Sequence, residues 1–358
     1  MNRRGRNQYI FATDLNKRRS GPFFRAFLVI LIVLILFVAA TNFISSHRLR
    51  YIREPVTIAN LPEDLEGFAI LQFSDLQGRE GLTDMIRQAI GNRVWSCIVF
   101  TGDMVGKSGN VKPLLEIAGL FPDTPKYLIQ GDEDPDYLDT YAHGNLTAYA
   151  DWAYAAVESG IEILDEPVLF TRGRNGRARL WLVPEMLYSL DLDMMETQYR
   201  NTLSRFSGSQ LQEDQAAYRR VAEYQLNRIA SIREKIRSME KSDIQIAVTH
   251  VPLTEDYVKT MLSWSDKNSV FSLRSSALVL AGHYAGGQWR IPGVGALYVP
   301  DLGFFPDDSL VQGMGYPGGI AQYISPGLSA SGIYGLEKGR LYVSPCITSL
   351  ELTSNIAR

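Results

Sequence analysis

The sequence predicts a layered α/β domain carried behind one membrane-spanning helix. Three features of the 358 residues point there: an unbroken apolar run near the N-terminus, a series of short apolar runs bounded by turn residues, and helical periodicity between those runs. From Ala26 to Ala40 no side chain is polar, and after Thr41 and Asn42 the run closes with Phe43 and Ile44. These 19 residues approach the roughly 20 that a hydrocarbon core about 30 Å thick requires. A cleaved signal peptide is the competing expectation. Its apolar region would be about 7–15 residues and end at small residues, for which Ala39-Ala40-Thr41 is a poor match. Residues 1–25 carry seven basic side chains against Asp14 alone, while only Arg48, Arg50 and Arg53 follow the span closely. That asymmetry favours a cytoplasmic N-terminus and an extracytoplasmic body at the cell membrane. The chain then divides into a basic tail (1–25), the span (26–44), a short basic linker (45–55) and a body (56–358).

In the body, Phe68–Phe73, Cys97–Phe100, Tyr127–Ile129, Leu180–Val183, Ile244–Val248 and Ala277–Leu280 read as buried strands. Leu82–Ile90 and Lys112–Leu120 read as helices between them, and strands punctuated by helices make layers. A helical insertion is expected at about 187–241. Within it, over 209–239, Ile229, Ile232, Ile236 and Met239 recur at helical spacing on a charged background. This stripe either packs on the body or binds a partner protein. Beyond Ala285 the chain is rich in Gly and Pro and reads as loops and short antiparallel strands. Cys97 and Cys346 are expected as buried free thiols, although an exported location permits a disulfide.

With 46% apolar residues, the composition excludes a disordered chain. Two cysteines in 358 residues exclude a disulfide scaffold. The net charge of −3 combines a +6 tail with a −9 remainder, and an acidic body argues against nucleic acid as a partner.

Five polar clusters follow apolar strands, where loops at the carboxyl edge of a sheet converge. They are Ser74-Asp75-Leu76-Gln77, Gly102-Asp103, Gly131-Asp132-Glu133-Asp134, Thr249-His250 and Gly282-His283-Tyr284-Ala285. Two of the four histidines lie in them. Carboxylates and imidazoles at strand ends suit a first-row divalent metal. The acidic run from Asp132 to Asp136 also suggests calcium, but it lacks the glycine and later glutamate of an EF-hand loop. Simpler roles suffice for His143 (an exposed loop), His47 (the membrane interface), and Trp152, Tyr154, Trp181 and Trp289 (core or interface aromatics).

In their order these clusters resemble the calcineurin-like metallophosphoesterases, in particular the membrane-anchored bacterial branch, over residues 56–310. The family signature runs Asp-x-His, Gly-Asp, Gly-Asn-His, His, Gly-His-x-His, and Gly282–Phe305 is the most similar stretch. The resemblance implies a four-layer αββα sandwich. It also implies two metals, one held at the positions of Asp75, Gln77, Asp103 and Ala285, the other at those of Asp103, Asp132, His250 and His283. Gln77 and Ala285 stand where the family has histidine, so the first set is degenerate. In the second, Asp132 replaces asparagine and all four residues can bind a cation, so one Mn, Fe or Zn ion is expected rather than two. Glu133 stands at the position of the catalytic histidine and is the candidate acid, with Asp75 assisting. Two readings follow: a membrane-anchored metal-dependent phosphoesterase, acting on a phosphorylated small molecule or a lipid-linked substrate, or an inactive pseudoenzyme that binds metal or ligand.

Overall fold

The computed structural model describes residues 22–139, 147–173, 176–207, 211–330 and 339–354. The chain falls into two units, residues 1–44 and 45–358. The first contains most of helix α1 (Pro22–Ser46), which is long and apolar enough to cross a membrane. Within it the Thr41 hydroxyl donates back to the Phe37 carbonyl at 2.8 Å, so this polar side chain is satisfied inside the helix.

The second unit opens with β1 (Arg50–Thr57), β2 (Ala69–Phe73), α2 (Thr83–Ile90), β3 (Cys97–Thr101), α3 (Lys112–Ala118), β4 (Lys126–Ile129), α4 (Asp151–Glu158) and β5 (Ile161–Ile163). It continues with β6 (Val168–Arg172), β7 (Ala178–Pro184), α5 (Leu192–Arg205), α6 (Glu213–Ser238), β8 (Ile244–Val248), α7 (Glu255–Trp264) and β9 (Ser276–Ala281). Two small ladders follow, β10 (Arg290–Ile291) with β11 (Gly295–Ala296) and β12 (Tyr298–Val299) with β13 (Gly303–Phe304). The chain closes with β14 (Gly313–Gly315), β15 (Gln322–Ile324) and β16 (Cys346–Thr353).

Two six-stranded sheets result, ordered β1-β16-β2-β3-β4-β5 and β14-β15-β9-β8-β7-β6. Successive side chains on a strand point to opposite faces, and here both faces are covered. Ile70, Val99 and Tyr127 of the first sheet meet Leu182, Ile246 and Leu280 of the second in one buried cluster. Their neighbours Leu71, Phe73, Ile98, Phe100 and Leu128 turn outward onto Ile86, Ile117 and Ala156 of the flanking helices. On the far side, Ala247 and Val279 pack on Val258 and Met261 of α7. The layers are therefore helix, sheet, sheet, helix. This double coverage explains why the central strands are continuous apolar runs.

Helices α5 and α6 lie between β7 and β8. Asp191 caps α5 by accepting from the backbone N–H groups of Asp193 and Met194, and a reciprocal Gln212/Gln215 box starts α6. Arg233 of α6 bonds to Asp193 and Glu196 of α5. Ile229 and Ile232 are buried, so this part of the stripe packs inward, as do Ala217 and Ala222.

Residues 50–55, read from the sequence as linker, instead form most of edge strand β1, in parallel register with β16 from Arg50↔Cys346 to Thr57↔Thr353. Its charged residues, Arg50, Arg53 and Glu54, suit an edge rather than a core and interrupt the apolar signal that marks the central strands. Cys97 and Cys346 are free and buried, and burial pushes the Cys346 thiol up to about 11.

Phe100 is fully buried and stacks on Phe73 at 5.5 Å. Phe100→Ala is expected to lower unfolding stability by about 3–5 kcal/mol, read as a shift of the denaturant midpoint at unchanged slope.

Candidate metal centre

The chain leaves several strands at the carboxyl edge through unusual backbone. Asp75, Gln77, Asp103, His283 and Ala285 all have left-handed conformations, with φ between 48° and 75°. Side chains other than glycine seldom adopt this region, and each such residue costs on the order of 1–3 kcal/mol unless its surroundings impose it. Here they do. The Asp75 N–H donates to the Gly102 carbonyl (3.1 Å), that of Gln77 to Asp103 (2.8 Å) and that of Gly282 to His250 (2.9 Å). Two glycines make the close approach possible. A Cβ on Gly131 would lie 2.1 Å from Asp103 Oδ1, and one on Gly102 would lie 2.5 Å from His250 Nδ1.

Four side chains converge at this edge: Asp103, Asp132, His250 and His283 each present a ligand atom, all within 4.8 Å of one another. His250 Nε2 is 2.8 Å from Asp132 Oδ1 and 3.2 Å from Asp103 Oδ2. His283 Nδ1 is 3.1 Å from the same Asp132 oxygen and 3.3 Å from His250 Nε2. The other nitrogen of His250, Nδ1, is 2.7 Å from the Thr101 carbonyl. A carbonyl can only accept, so Nδ1 carries the proton and Nε2 is directed into the cluster. Asp103, His250 and His283 are buried, whereas the Asp132 side chain is 46% exposed and forms the open side.

Ring nitrogens facing each other and two carboxylates require a proton or a cation between them. Burial opposes charge on His250, yet bonds to Asp103 and Asp132 raise its imidazole well above the ordinary range. Burial likewise opposes ionisation of Asp132, but hydrogen bonds from His250 and His283 hold its carboxyl well below the usual value. Two oxygens and two imidazole nitrogens suit Mn, Fe or Zn. Asp75 stands outside this group of four. Its Oδ2 accepts from the Ser74 hydroxyl (2.5 Å) and the His283 N–H (3.2 Å), while Oδ1 is buried with no hydrogen-bond partner. Burial, assisted by the Asp103 charge and opposed by His250, pushes the Asp75 carboxyl up to about 6.

Gln77 and Ala285 sit differently. The Gln77 amide nitrogen donates to Asp103 Oδ2 (3.0 Å) and to Glu133 Oε2 (2.6 Å). With carboxylates on both sides, the nitrogen rather than the oxygen of the amide must face them. Glu133 is buried, its other oxygen lies 3.1 Å from Lys107 Nζ, and its N–H donates to Asp103 Oδ1 at 2.9 Å. The Ala285 carbonyl accepts from Arg340, a buried guanidinium that also bonds the carbonyls of Pro326, Gly327 and Ser329.

The calcium expectation at 132–136 is not met by Asp134. Its carboxylate is turned inward and accepts from the backbone N–H groups of Met104, Val105, Gly106 and Gly131. It fastens the loop after β3 to the loop after β4, and so Asp103 to Asp132. Neither this role nor those of Lys107 and Arg340 has a sequence signal. Asp301, 3.9 Å from His283 Nε2, is a further carboxylate that the sequence did not single out. Trp152, Trp181 and Trp289 spend their indole N–H groups on Asp136, Asp243 and Gly339, away from the cluster. His47 is exposed, and His143 lies outside the described residues.

No family model matches the chain, and no curated protein matches it in sequence. Among solved structures it is similar to the phosphopantetheinyl hydrolase of Mycobacterium tuberculosis, with 12% identity over 82% of this chain and 99% of that one at a TM-score of 0.36. It is also similar to a dimetal phosphatase of Danio rerio, with 14% identity over 61% of this chain and 82% of that one at a TM-score of 0.30.

A cation entering this cluster must displace the proton held at His250, so affinity rises with pH. Calorimetric titration of the metal-free protein with Zn2+ at pH 6–7, in buffers of different ionisation enthalpy, is expected to show proton release; buffer-independent heats would contradict it. Gly131→Ala, which drives a methyl group into Asp103, is expected to weaken metal affinity roughly 10–100-fold while secondary structure by circular dichroism is retained.

Proposed function

We propose that the protein is a metal-dependent phosphoesterase-like hydrolase, anchored by α1 with its body outside the cytoplasm, that works with one metal ion. The convergence of Asp103, Asp132, His250 and His283 carries this reading. These four side chains would hold the ion; Asp103, His250 and His283 are buried and Asp132 is half-exposed. When bound, a divalent ion supplies Lewis-acid polarisation of a phosphoryl oxygen and acidifies a coordinated water. The chain's own groups supply the rest. Asp75, a buried carboxyl that accepts from the His283 N–H, is placed to assist. Glu133 is the candidate acid, and its two oxygens are engaged with Gln77 and Lys107. Lys107, two-thirds exposed and paired with Glu133, brings a positive charge to the mouth of the site. A phosphorylated small molecule or a lipid-linked phosphate ester fits this donor set.

A second reading, an inactive scaffold that binds metal or ligand without turnover, is favoured by one observation. The Gln77 amide bridges Asp103 and Glu133, and Lys107 caps Glu133, so hydrogen bonds occupy the surroundings of Asp103 that a second cation would need.

Elemental mass spectrometry of the purified full chain, paired with hydrolysis of an aryl phosphate under Mn2+, Zn2+ or Fe2+, separates the two. The hydrolase reading expects about one transition metal per chain and activity abolished by Asp103→Ala. Bound metal with no turnover under any ion selects the scaffold, and absence of metal even after reconstitution removes the hydrolase reading and leaves a ligand-binding scaffold.

A further inference from the structure

We infer that the paired hairpins over 290–305 are a membrane-docking surface, which holds the metal-bearing edge of the domain at the interface of the bilayer that anchors α1. This inference rests on the anchored reading proposed above, and it is independent of turnover.

The hairpins follow directly from the metal loop. Beyond His283 and Tyr284, Leu297 N–H bonds to the Trp289 carbonyl (2.8 Å) and Phe305 N–H to the Leu297 carbonyl (3.1 Å), which sets the β10–β11 and β12–β13 ladders side by side. Their inner side packs through Ala296 and Val299 on Tyr284 and Val311. Four of their apolar side chains are left uncovered: Ile291, Val294, Phe304 and Phe305 are exposed, Val294 and Phe304 by 63% and 72%, and Leu310 and Tyr316 just downstream are exposed too. An apolar, aromatic-rich group of this kind marks a surface meant to meet another phase or a partner.

What it meets follows from where the anchor joins the domain. Strand β16 runs antiparallel to β2 with Thr348 opposite Gln72, so Cys346, at the start of β16, lies beside the carboxyl end of β2. Arg50, the first residue of β1, is paired with Cys346. The chain arriving from α1 therefore enters at the edge that carries Asp75, Asp103 and His283. Only residues 47–49 separate α1 from β1, a reach of about 13 Å when extended. An edge tethered this closely to a bilayer, with Phe, Val and Ile side chains uncovered, presents the kind of apolar group that a membrane-surface segment buries at the headgroup–acyl boundary. Asp301, Asp307 and Asp308 border the hairpins, so apolar insertion rather than attraction to anionic lipid is the driving term. A substrate reaching the metal centre would then be an amphiphile whose phosphate ester lies at the headgroup level.

Both native cysteines are buried, so a nitroxide label can be directed to one new thiol at a time. Val294→Cys and Phe304→Cys report on the hairpins. Val94→Cys is the reference, because Val94 is 85% exposed and precedes β3 at the opposite edge of the sheet. The full-length chain is reconstituted in phosphatidylcholine vesicles. Carbonate extraction is followed by measurement of collisional accessibility to oxygen and to a water-soluble nickel complex. Retention in the membrane, with an oxygen-to-nickel ratio at 294 and 304 at least several-fold above that at 94, is the expected result. Retention with ratios at 294 and 304 as low as at 94 overturns the docking while leaving the anchor intact. Release by carbonate overturns the anchored reading itself. Immobilised labels with dipolar broadening that grows with protein-to-lipid ratio would assign the surface to a second copy of the chain instead.

Discussion

The candidate metal site depends on one bond between the two sheets. His250 leaves the end of β8 in the second sheet, and its Nδ1 meets the carbonyl of Thr101 at the end of β3 in the first. That contact fixes the ring's rotation and its protonated nitrogen, and so aims Nε2 between Asp103 and Asp132. Gln72 makes a parallel crossing, donating to the Thr101 hydroxyl and to the Ala281 carbonyl just before the Gly282-His283 turn. If the sheets slid by one residue, the imidazoles and carboxylates would no longer share a point. The apolar cluster between the sheets, with Ile70, Val99, Ile246 and Leu280 fully buried, holds that register. Packing in the middle of the molecule is thus converted into donor geometry at its rim.

The parts of this arrangement that were legible in the sequence are those where one physical cause dominates. Strands covered on both faces must be apolar throughout, so β2, β3, β8 and β9 stood out, and the polar residues just past them marked the loops of the rim. Asp103, Asp132, His250 and His283 were visible through their joint recurrence after such strands, since each alone has an ordinary structural use. What was hidden depends on partners distant in the chain. β1 interrupts its apolar residues with Arg50, Arg53 and Glu54, as a partly exposed edge strand can, and its place became clear only through β16, about three hundred residues away. Asp134 looked like a cation ligand beside Asp132, yet four backbone N–H groups turn it inward. Lys107 and Arg340 carry no local signature, since their meaning lies wholly in what they touch.

Charge at the centre is divided unequally. Asp132, on the open side, is tied to both histidines, whereas Asp75 is enclosed and retains one oxygen without a partner. Gln77 contributes a neutral donor between Asp103 and Glu133. Carboxylates tied to imidazoles thus stand on one side of the cluster and a neutral amide donor on the other.

The left-handed residues have a consequence for how this chain can change over generations. Gln77 and Ala285 take their backbone shape from tight turns and backbone amide bonds, whereas the Asp75 and Asp103 side chains themselves hold neighbouring loop N–H groups. Shape and chemistry are thus separately heritable at the first two positions and joined at the others. A side chain at 77 or 285 can be exchanged while the frame persists, so a lineage built on this scaffold can alter its chemistry there and keep the cradle.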